Sequence, residues 1–129
     1  MSAKRQAIFP EGGPKPAGAY SPAIVSGDLV FVAGQVGIDP ATGQAAVDLE
    51  AQVKQTLTNV SAVLKAAGCD LGDVVKTTAF LTKPEFFAAF NTLYREFFTE
   101  PYPARSTIIC QLARPDLLVE VEVIARLPG

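Results

Sequence analysis

The spacing of hydrophobic residues predicts a first helix in the middle of the chain. Apolar side chains recur there every three or four residues, and the stripe consists of Val53, Leu57, Val60 and Leu64. This period places all four on one face of a helix. Asp48 can cap the start of the helix, which we expect to run to about Ala67, and Gly68 can adopt the left-handed backbone that ends it.

An aromatic-rich segment predicts a second helix. Thr82 is expected as its N-cap, with Pro84 in the first turn and Glu85 completing a capping box three residues after the threonine. Pro101 and Pro103 end the helix. Its apolar stripe consists of Phe86, Phe90, Leu93 and Phe97, broadened by Phe87, Tyr94 and Phe98. We expect these aromatic side chains in the hydrophobic core.

Short apolar runs between turn residues predict the strands. Residues 23–25 and 29–36 flank Gly27, which can take the positive φ of a tight turn, so a hairpin is expected here. A loop rich in Pro and Gly at 10–19 precedes the hairpin, and a turn at 39–43 follows it. Further strands are predicted at residues 74–81, 106–112 and 118–127. The order is β-β-α-β-α-β-β, with a third strand left open before the first helix.

The strands carry apolar residues on both faces of the predicted sheet. Two helices are expected to cover one face of a mixed sheet, which gives an α+β fold in a single domain, residues 1–129. The other face would expose more than the several hundred Å² of apolar surface usual for monomers, so the sequence favours an oligomer. In the last strand Glu120, Glu122 and Arg126 point away from the apolar residues, either into a cleft between subunits or into solvent.

Composition and charge narrow the classes of partner. The 129 residues are 49% hydrophobic and 19% charged, with a net charge of -2 and a pI near 5.0. Since Lys and Arg are scattered, no nucleic-acid partner is expected. No apolar run reaches the roughly 18 residues that span a bilayer, and no signal peptide is evident, so we expect a cytoplasmic protein without a membrane partner.

The chain has no histidine, which limits the chemistry it can perform. Most zinc sites and the catalytic pairs built on histidine are excluded, so catalysis would use carboxylates, Arg, Tyr, Ser/Thr, Lys, backbone groups or water. We expect neither a metal nor a cofactor. Cys69, near a helix end, and Cys110, in a strand, are expected to be reduced and to serve as small buried hydrophobes.

The strongest candidate for chemistry combines Arg105 with the acidic last strand. A guanidinium fork matches a carboxylate or phosphate, and a nearby carboxylate such as Glu120 can hold a water or move a proton. The alternative is structural: Arg105 would form an ion pair with Glu120 or Glu122, and Glu122 would pair with Arg126 or with a neighbouring subunit.

Five segments together resemble the Rid family, also called the YjgF or L-PSP endoribonuclease-like family. They are GAYSPA at 18–23, FVAGQ at 31–35, DPATG at 39–43, PARS at 103–106 and VEVE at 119–122. The resemblance extends from about residue 6 to residue 127. It implies a chorismate mutase-like fold and a homotrimer, in which three sheets line a central β-barrel, the helices lie outside and the active clefts lie between subunits.

The resemblance also implies an activity, the hydrolysis of reactive enamines and imines such as 2-aminoacrylate, 2-iminopropanoate and 2-iminobutanoate. The products are 2-keto acids and ammonia. By this resemblance Arg105 would hold the substrate carboxylate and Glu120 would position the water or assist proton transfer. Gly34 would let the substrate approach the backbone, and the remaining pocket residues would be Tyr20, Asn91 and Thr107.

Two departures from the typical deaminase pattern leave the substrate open. Ala33 stands where typical members have Ser, and Thr107 stands where they have Cys. One alternative function is a non-catalytic trimer that binds small 2-keto acids and regulates a partner. Another is an endoribonuclease-type translation inhibitor, although the acidic pI and the lack of a histidine pair count against it.

Overall fold

The computed structural model describes residues 4–13 and 15–129, which form one mixed six-stranded sheet with both helices on one face. The strands are β1 (Gln6–Ile8), β2 (Ala23–Ser26), β3 (Leu29–Val36), β4 (Val74–Leu81), β5 (Ala104–Ile109) and β6 (Val119–Arg126). Their order in the sheet is β1-β2-β3-β6-β4-β5, and only β4 and β5 pair in parallel. The helices are α1 (Leu49–Ala66) and α2 (Phe87–Phe97). The predicted α+β class is confirmed, whereas the trimer and the central barrel stay predictions.

The hairpin and its neighbouring turns match the sequence pattern. Ser26 pairs with Leu29 across a turn in which Gly27 has a φ of 63°. The third strand before α1 is β1, which pairs with β2 near the start of the chain. Three residues are too few to show an alternating pattern, so the sequence pattern could only leave this strand open. The predicted loop at 10–19 is irregular throughout its described residues, and Pro14 lies outside them.

Helix α1 forms as predicted. The Asp48 carboxylate accepts a hydrogen bond from the Ala51 N–H at 2.8 Å, and Gly68 follows the helix with a φ of 85°. The predicted stripe is fully buried against the sheet, with 0% exposure at Val53, Leu57, Val60 and Leu64. Local capping and apolar period therefore suffice to define this helix.

The start of α2 corrects the prediction. Thr82 does not cap the helix, because its N–H and hydroxyl both donate to the Leu118 carbonyl oxygen, at 3.2 and 3.4 Å. A 3-10 turn at Pro84–Phe86 precedes α2 instead, without a side-chain cap, so Glu85 completes no capping box. Thr82 directly follows β4, and its backbone hydrogen bond to Leu118 continues the β4–β6 pairing by one residue. Phe87 is also not a core residue, since 44% of it is exposed.

Strand β5 begins two residues earlier than predicted, which places Arg105 inside the strand. Cys110 follows the strand and is half-buried, while Cys69 is buried; both are free thiols. In the part of the chain that the structure describes, neither helix combines the length and apolar content needed to cross a membrane.

Strand β6 separates the two faces of the sheet as predicted. Its apolar members face the helices and are at most 2% exposed: Val119, Val121, Val123 and Ala125. On the opposite face, Phe31 and Ile108 are each 42% exposed. Within a single chain, no helix of the described residues covers this second face. The exposed apolar groups agree with the predicted oligomer, which stays a prediction.

Candidate functional site

Arg105 lies on β5 and faces helix α2. It pairs with Thr77 of β4, whose side chain is completely buried on the helix side of the sheet. One terminal nitrogen of the guanidinium donates to the Asn91 side-chain oxygen at 2.6 Å. Arg105, predicted to hold the substrate carboxylate, is therefore in direct contact with Asn91, predicted to line the pocket.

Aromatic rings of α2 support the Arg105 guanidinium. Its central carbon lies 4.8 Å from the ring centroid of Tyr94, 5.5 Å from that of Phe90 and 5.8 Å from that of Phe87. With Asn91, these residues have the i, i+3, i+4, i+7 spacing of one helix face. Cation–π contacts of this kind hold a guanidinium in place without neutralising its charge.

Tyr94 is a fixed part of this support. Its hydroxyl and that of Thr77 share a hydrogen bond of 2.9 Å, and its ring stacks on Phe98 at a centroid distance of 4.4 Å. Burial raises the pKa of Tyr94, and the Thr77 hydrogen bond and the Arg105 charge only partly oppose this effect. The ring beneath Arg105 is therefore a neutral phenol at physiological pH.

No carboxylate of the described residues compensates Arg105. The ion pairs among the described residues are Lys54–Glu50, Arg114–Asp116 and Arg126–Asp28, and none of them includes Arg105. The alternative pairing of Arg105 with Glu120 or Glu122 is thus not formed in this chain, and Arg126 pairs with Asp28 at 3.2 Å rather than with Glu122. The positive charge of Arg105 remains available to an anion.

Arg105 lines a solvent-accessible depression with a volume of about 340 Å³. Its lining residues are Asn91, Tyr94, Arg95, Tyr102, Pro103 and Arg105. Arg95 and Tyr102 were not predicted as lining residues, and Tyr94 was predicted only in the core. The four-residue spacing from Asn91 to Arg95 was the available signal, because it places both side chains on one helix face.

Glu120 lies on the other face of the sheet. It pairs with Val36 of β3 and Phe80 of β4, and its side chain is half-buried. The register between β3 and β6 shifts between Val32 and Gln35, and Gly34 lies in this irregularity. A Cβ at Gly34 would collide with the Glu120 carboxylate and lie 2.8 Å from its carboxyl carbon. Because glycine has no side chain, position 34 leaves room for the Glu120 carboxylate.

The environment of Glu120 disfavours its charged form. Burial raises the pKa of the Glu120 carboxyl, and the negative charge of Glu122 two residues later raises it further. A carboxyl of this kind changes its protonation at a higher pH than an exposed glutamate. Such a shift suits a group that accepts and returns a proton.

The remaining predicted residues belong to different parts of the molecule. Tyr20 is 54% exposed and lines a second cavity of about 260 Å³, together with Gly34 and Asn59. Thr107 pairs with Ala79 and shares the helix-facing side of β5 with Arg105. Among the described residues, no cluster of three His, Cys, Asp or Glu side chains could hold a metal ion.

The predicted site thus divides into two groups within one chain. Arg105, Asn91 and Thr107 lie on the helix side, at the β5 edge of the sheet. Glu120 contacts the Gly34 position on the open side, and β4 separates its strand from β5. Two strand spacings amount to about 10 Å, so a small substrate cannot contact both groups through the sheet of a single chain.

Comparisons with known proteins find similar proteins along nearly the whole chain. The family model described as Endoribonuclease L-PSP matches residues 11–127. A RutC family protein of Pyrococcus horikoshii is 43% identical over 122 residues, which cover 94% of this chain and 97% of that protein. A 2-iminobutanoate/2-iminopropanoate deaminase of Salmonella typhimurium is 40% identical over 121 residues, or 92% of this chain and 94% of the deaminase.

A solved structure shows the same fold. The crystal structure of a putative endoribonuclease from Thermotoga maritima superposes with a TM-score of 0.90 at 38% identity. The superposition covers 96% of this chain and 98% of the other. The architecture described above is therefore shared over nearly the full length of both chains.

Proposed function

Since the chain belongs to the endoribonuclease L-PSP family, to which the Rid proteins are assigned, we propose that it hydrolyses reactive 2-imino and 2-enamino acids to 2-keto acids and ammonia. The observation that carries this proposal is the uncompensated guanidinium of Arg105, fixed by Asn91 and by the ring of Tyr94. A rigid fork of this kind suits the planar carboxylate of a 2-imino acid. The deaminase of Salmonella typhimurium, at 40% identity, gives the proposal its reaction class.

In the proposed mechanism the Arg105 fork binds the substrate carboxylate through two parallel hydrogen bonds. This contact places the adjacent imine carbon at a fixed distance from the protein. The reacting form is the protonated imine, which an enamine also gives when its terminal carbon takes a proton from solvent. The Glu120 carboxylate accepts a proton from water as the water oxygen adds to the imine carbon, forming a neutral tetrahedral carbinolamine. The Glu120 carboxyl gives this proton to the nitrogen, and ammonia leaves as the carbinolamine hydroxyl passes its own proton back to Glu120 and becomes the keto group.

This mechanism requires two copies of the chain. Arg105 and Glu120 lie on opposite faces of the sheet, so the proposed site joins the Arg105 side of one subunit to the Glu120 side of its neighbour. Phe31 and Ile108 are exposed apolar residues on the open face, and association of subunits through this face would remove them from water. We propose the homotrimer implied by the family resemblance as the assembly that brings the two sides together.

A competition assay tests the proposed function. A threonine or serine dehydratase generates the imine in the presence of semicarbazide, which traps it. We expect the protein to divert imine from the trap to the keto acid at substoichiometric concentrations. An Arg114→Ala variant serves as a matched control, because this exposed arginine pairs with Asp116 away from the depression and should divert imine equally well. Unchanged trapping at every protein concentration would contradict deaminase activity and favour a non-catalytic 2-keto acid binder.

The pH dependence of the reaction tests the role of Glu120. Because burial and Glu122 raise the pKa of this carboxyl, its charged form becomes dominant at a higher pH than in an exposed glutamate. We expect kcat/KM, after subtraction of the uncatalysed rate, to fall as the pH drops through this raised pKa. A Glu122→Gln variant removes one cause of the shift and should move the acid limb to lower pH. An acid limb at the same pH in both proteins would contradict the assignment.

A further inference from the structure

Arg95 brings a second guanidinium to the depression that contains Arg105. It follows Asn91 by four residues, so the two side chains lie on one face of α2. Arg95 and Arg105 line the same space of about 340 Å³, together with Tyr102 and Pro103. This volume lies at the lower end of the range for small-molecule sites.

The depression is cationic, because none of the described residues that line it is acidic. Apart from the two arginines, its lining consists of the neutral side chains Asn91, Tyr94, Tyr102 and Pro103. Within residues 4–13 and 15–129, neither Arg95 nor Arg105 forms an ion pair. The two guanidinium groups repel each other across this small space. An anion bound between them is attracted by both, and these two attractions offset the repulsion.

We propose that the depression selects substrates with two acidic groups. The carboxylate next to the imine carbon binds Arg105, and a second carboxylate on the substrate side chain binds Arg95. This inference rests on the proposed function and narrows its substrate class to 2-imino dicarboxylic acids. Arg105 is the fixed anchor because it is half-buried and bonded to Asn91, whereas the exposed Arg95 can adjust to the length of the side chain.

If Arg95 has only a structural role, a different effect on ligand binding is expected. Arg95 lies in the last turn of α2, where a cation interacts favourably with the free carbonyl groups of the helix end. Such an interaction affects helix stability to the same extent whichever ligand is present. Discrimination between a monoanionic and a dianionic ligand therefore separates the two roles.

The test uses two 2-keto acids of the same shape and different charge. In 4-methyl-2-oxopentanoate, two methyl groups replace the two side-chain carboxylate oxygens of oxaloacetate. Calorimetric titration of the full chain at low salt should show about fivefold tighter binding of oxaloacetate, the upper end for a solvent-exposed charge pair. In Arg95→Gln the ratio of the two Kd values should fall to about one, whereas the control Arg114→Gln should keep the wild-type ratio.

The outcomes separate this inference from the proposed function. A wild-type ratio near one, or a ratio that Arg95→Gln leaves intact, overturns the selection of dianions without affecting the deaminase proposal. Inorganic phosphate that competes as strongly as oxaloacetate, with the same dependence on Arg95, overturns the dicarboxylate assignment. A preserved ratio in a protein that never diverts imine from semicarbazide supports the dianion site and contradicts only the catalytic activity.

Discussion

An Arg105→Ala variant is expected to lose about 10²-fold to 10³-fold in kcat/KM for imine hydrolysis while it keeps its fold. The variant removes both hydrogen bonds that we propose to the substrate carboxylate, and each bond to a charged group contributes about 1.5–3 kcal/mol. We place the loss in the lower part of the resulting range because the depression is open to solvent. The competition assay with semicarbazide measures the change.

An Arg105→Lys variant is the matched control for this result. It retains the positive charge over the Tyr94 ring but cannot form the planar fork. We expect it to lose about tenfold, an intermediate value that separates charge from geometry. Thermal unfolding of both variants checks that the fold is retained. An Arg105→Ala protein with more than half of the wild-type kcat/KM would show that the substrate carboxylate binds elsewhere.

A Gln52→Ala variant is expected to lower the free energy of unfolding by about 3 kcal/mol. The Gln52 side chain is 1% exposed and connects α1 to the segment that leads into β6. Its nitrogen donates to the Ala46 and Asp116 carbonyl oxygens at 3.0 and 2.7 Å, and its oxygen accepts from the Leu118 N–H at 2.8 Å. The alanine would leave these backbone groups without their partner and would open a cavity.

Two further variants separate the causes of this loss. Gln52→Met fills nearly the same volume without the hydrogen bonds, so we expect it to lose most of the same free energy. Lys54→Ala removes only an exposed pair with Glu50 on the same helix and should cost less than about 0.5 kcal/mol. Denaturant unfolding at fixed protein concentration measures all three. A methionine variant as stable as the wild type would show that packing alone explains the role of Gln52.

The Gln52 contacts also connect stability to the proposed chemistry. Leu118 directly precedes β6, and Glu120 is the second residue of that strand. Loss of the side-chain acceptor for Leu118 therefore frees the end of the strand that carries Glu120. We expect the Gln52→Ala variant to lose activity below its unfolding temperature as well, because a small displacement of a catalytic group slows a reaction markedly.

Local signals in the sequence were sufficient for some elements and misleading for others. Helix α1 has its cap at Asp48 and its left-handed end at Gly68 within a few residues of the apolar stripe, so nothing distant was needed to predict it. The predicted cap at Thr82 was wrong because the distant Leu118 carbonyl competes for its hydroxyl and its N–H. A short-range rule cannot account for a partner 36 residues away.

The same limit explains the residues of the site that were missed. Arg105 was evident from its charge and its proline-flanked segment, but the role of Tyr94 as its support was not. That support depends on the parallel pairing of β5 with β4 and on the position of α2 above it. Arg95 and Tyr102 likewise join the site only because the end of α2 packs near the start of β5.

The sequence by itself determined the α+β class, the two helices, most of the strands and the family, because these follow from local period, capping and short motifs spread along the chain. The tertiary structure alone decided where the candidate groups lie. Fifteen residues separate Arg105 from Glu120 along the chain, yet strand pairing places them on opposite faces of the sheet. Side-chain direction in a strand depends on register, and register is set by contacts between distant segments.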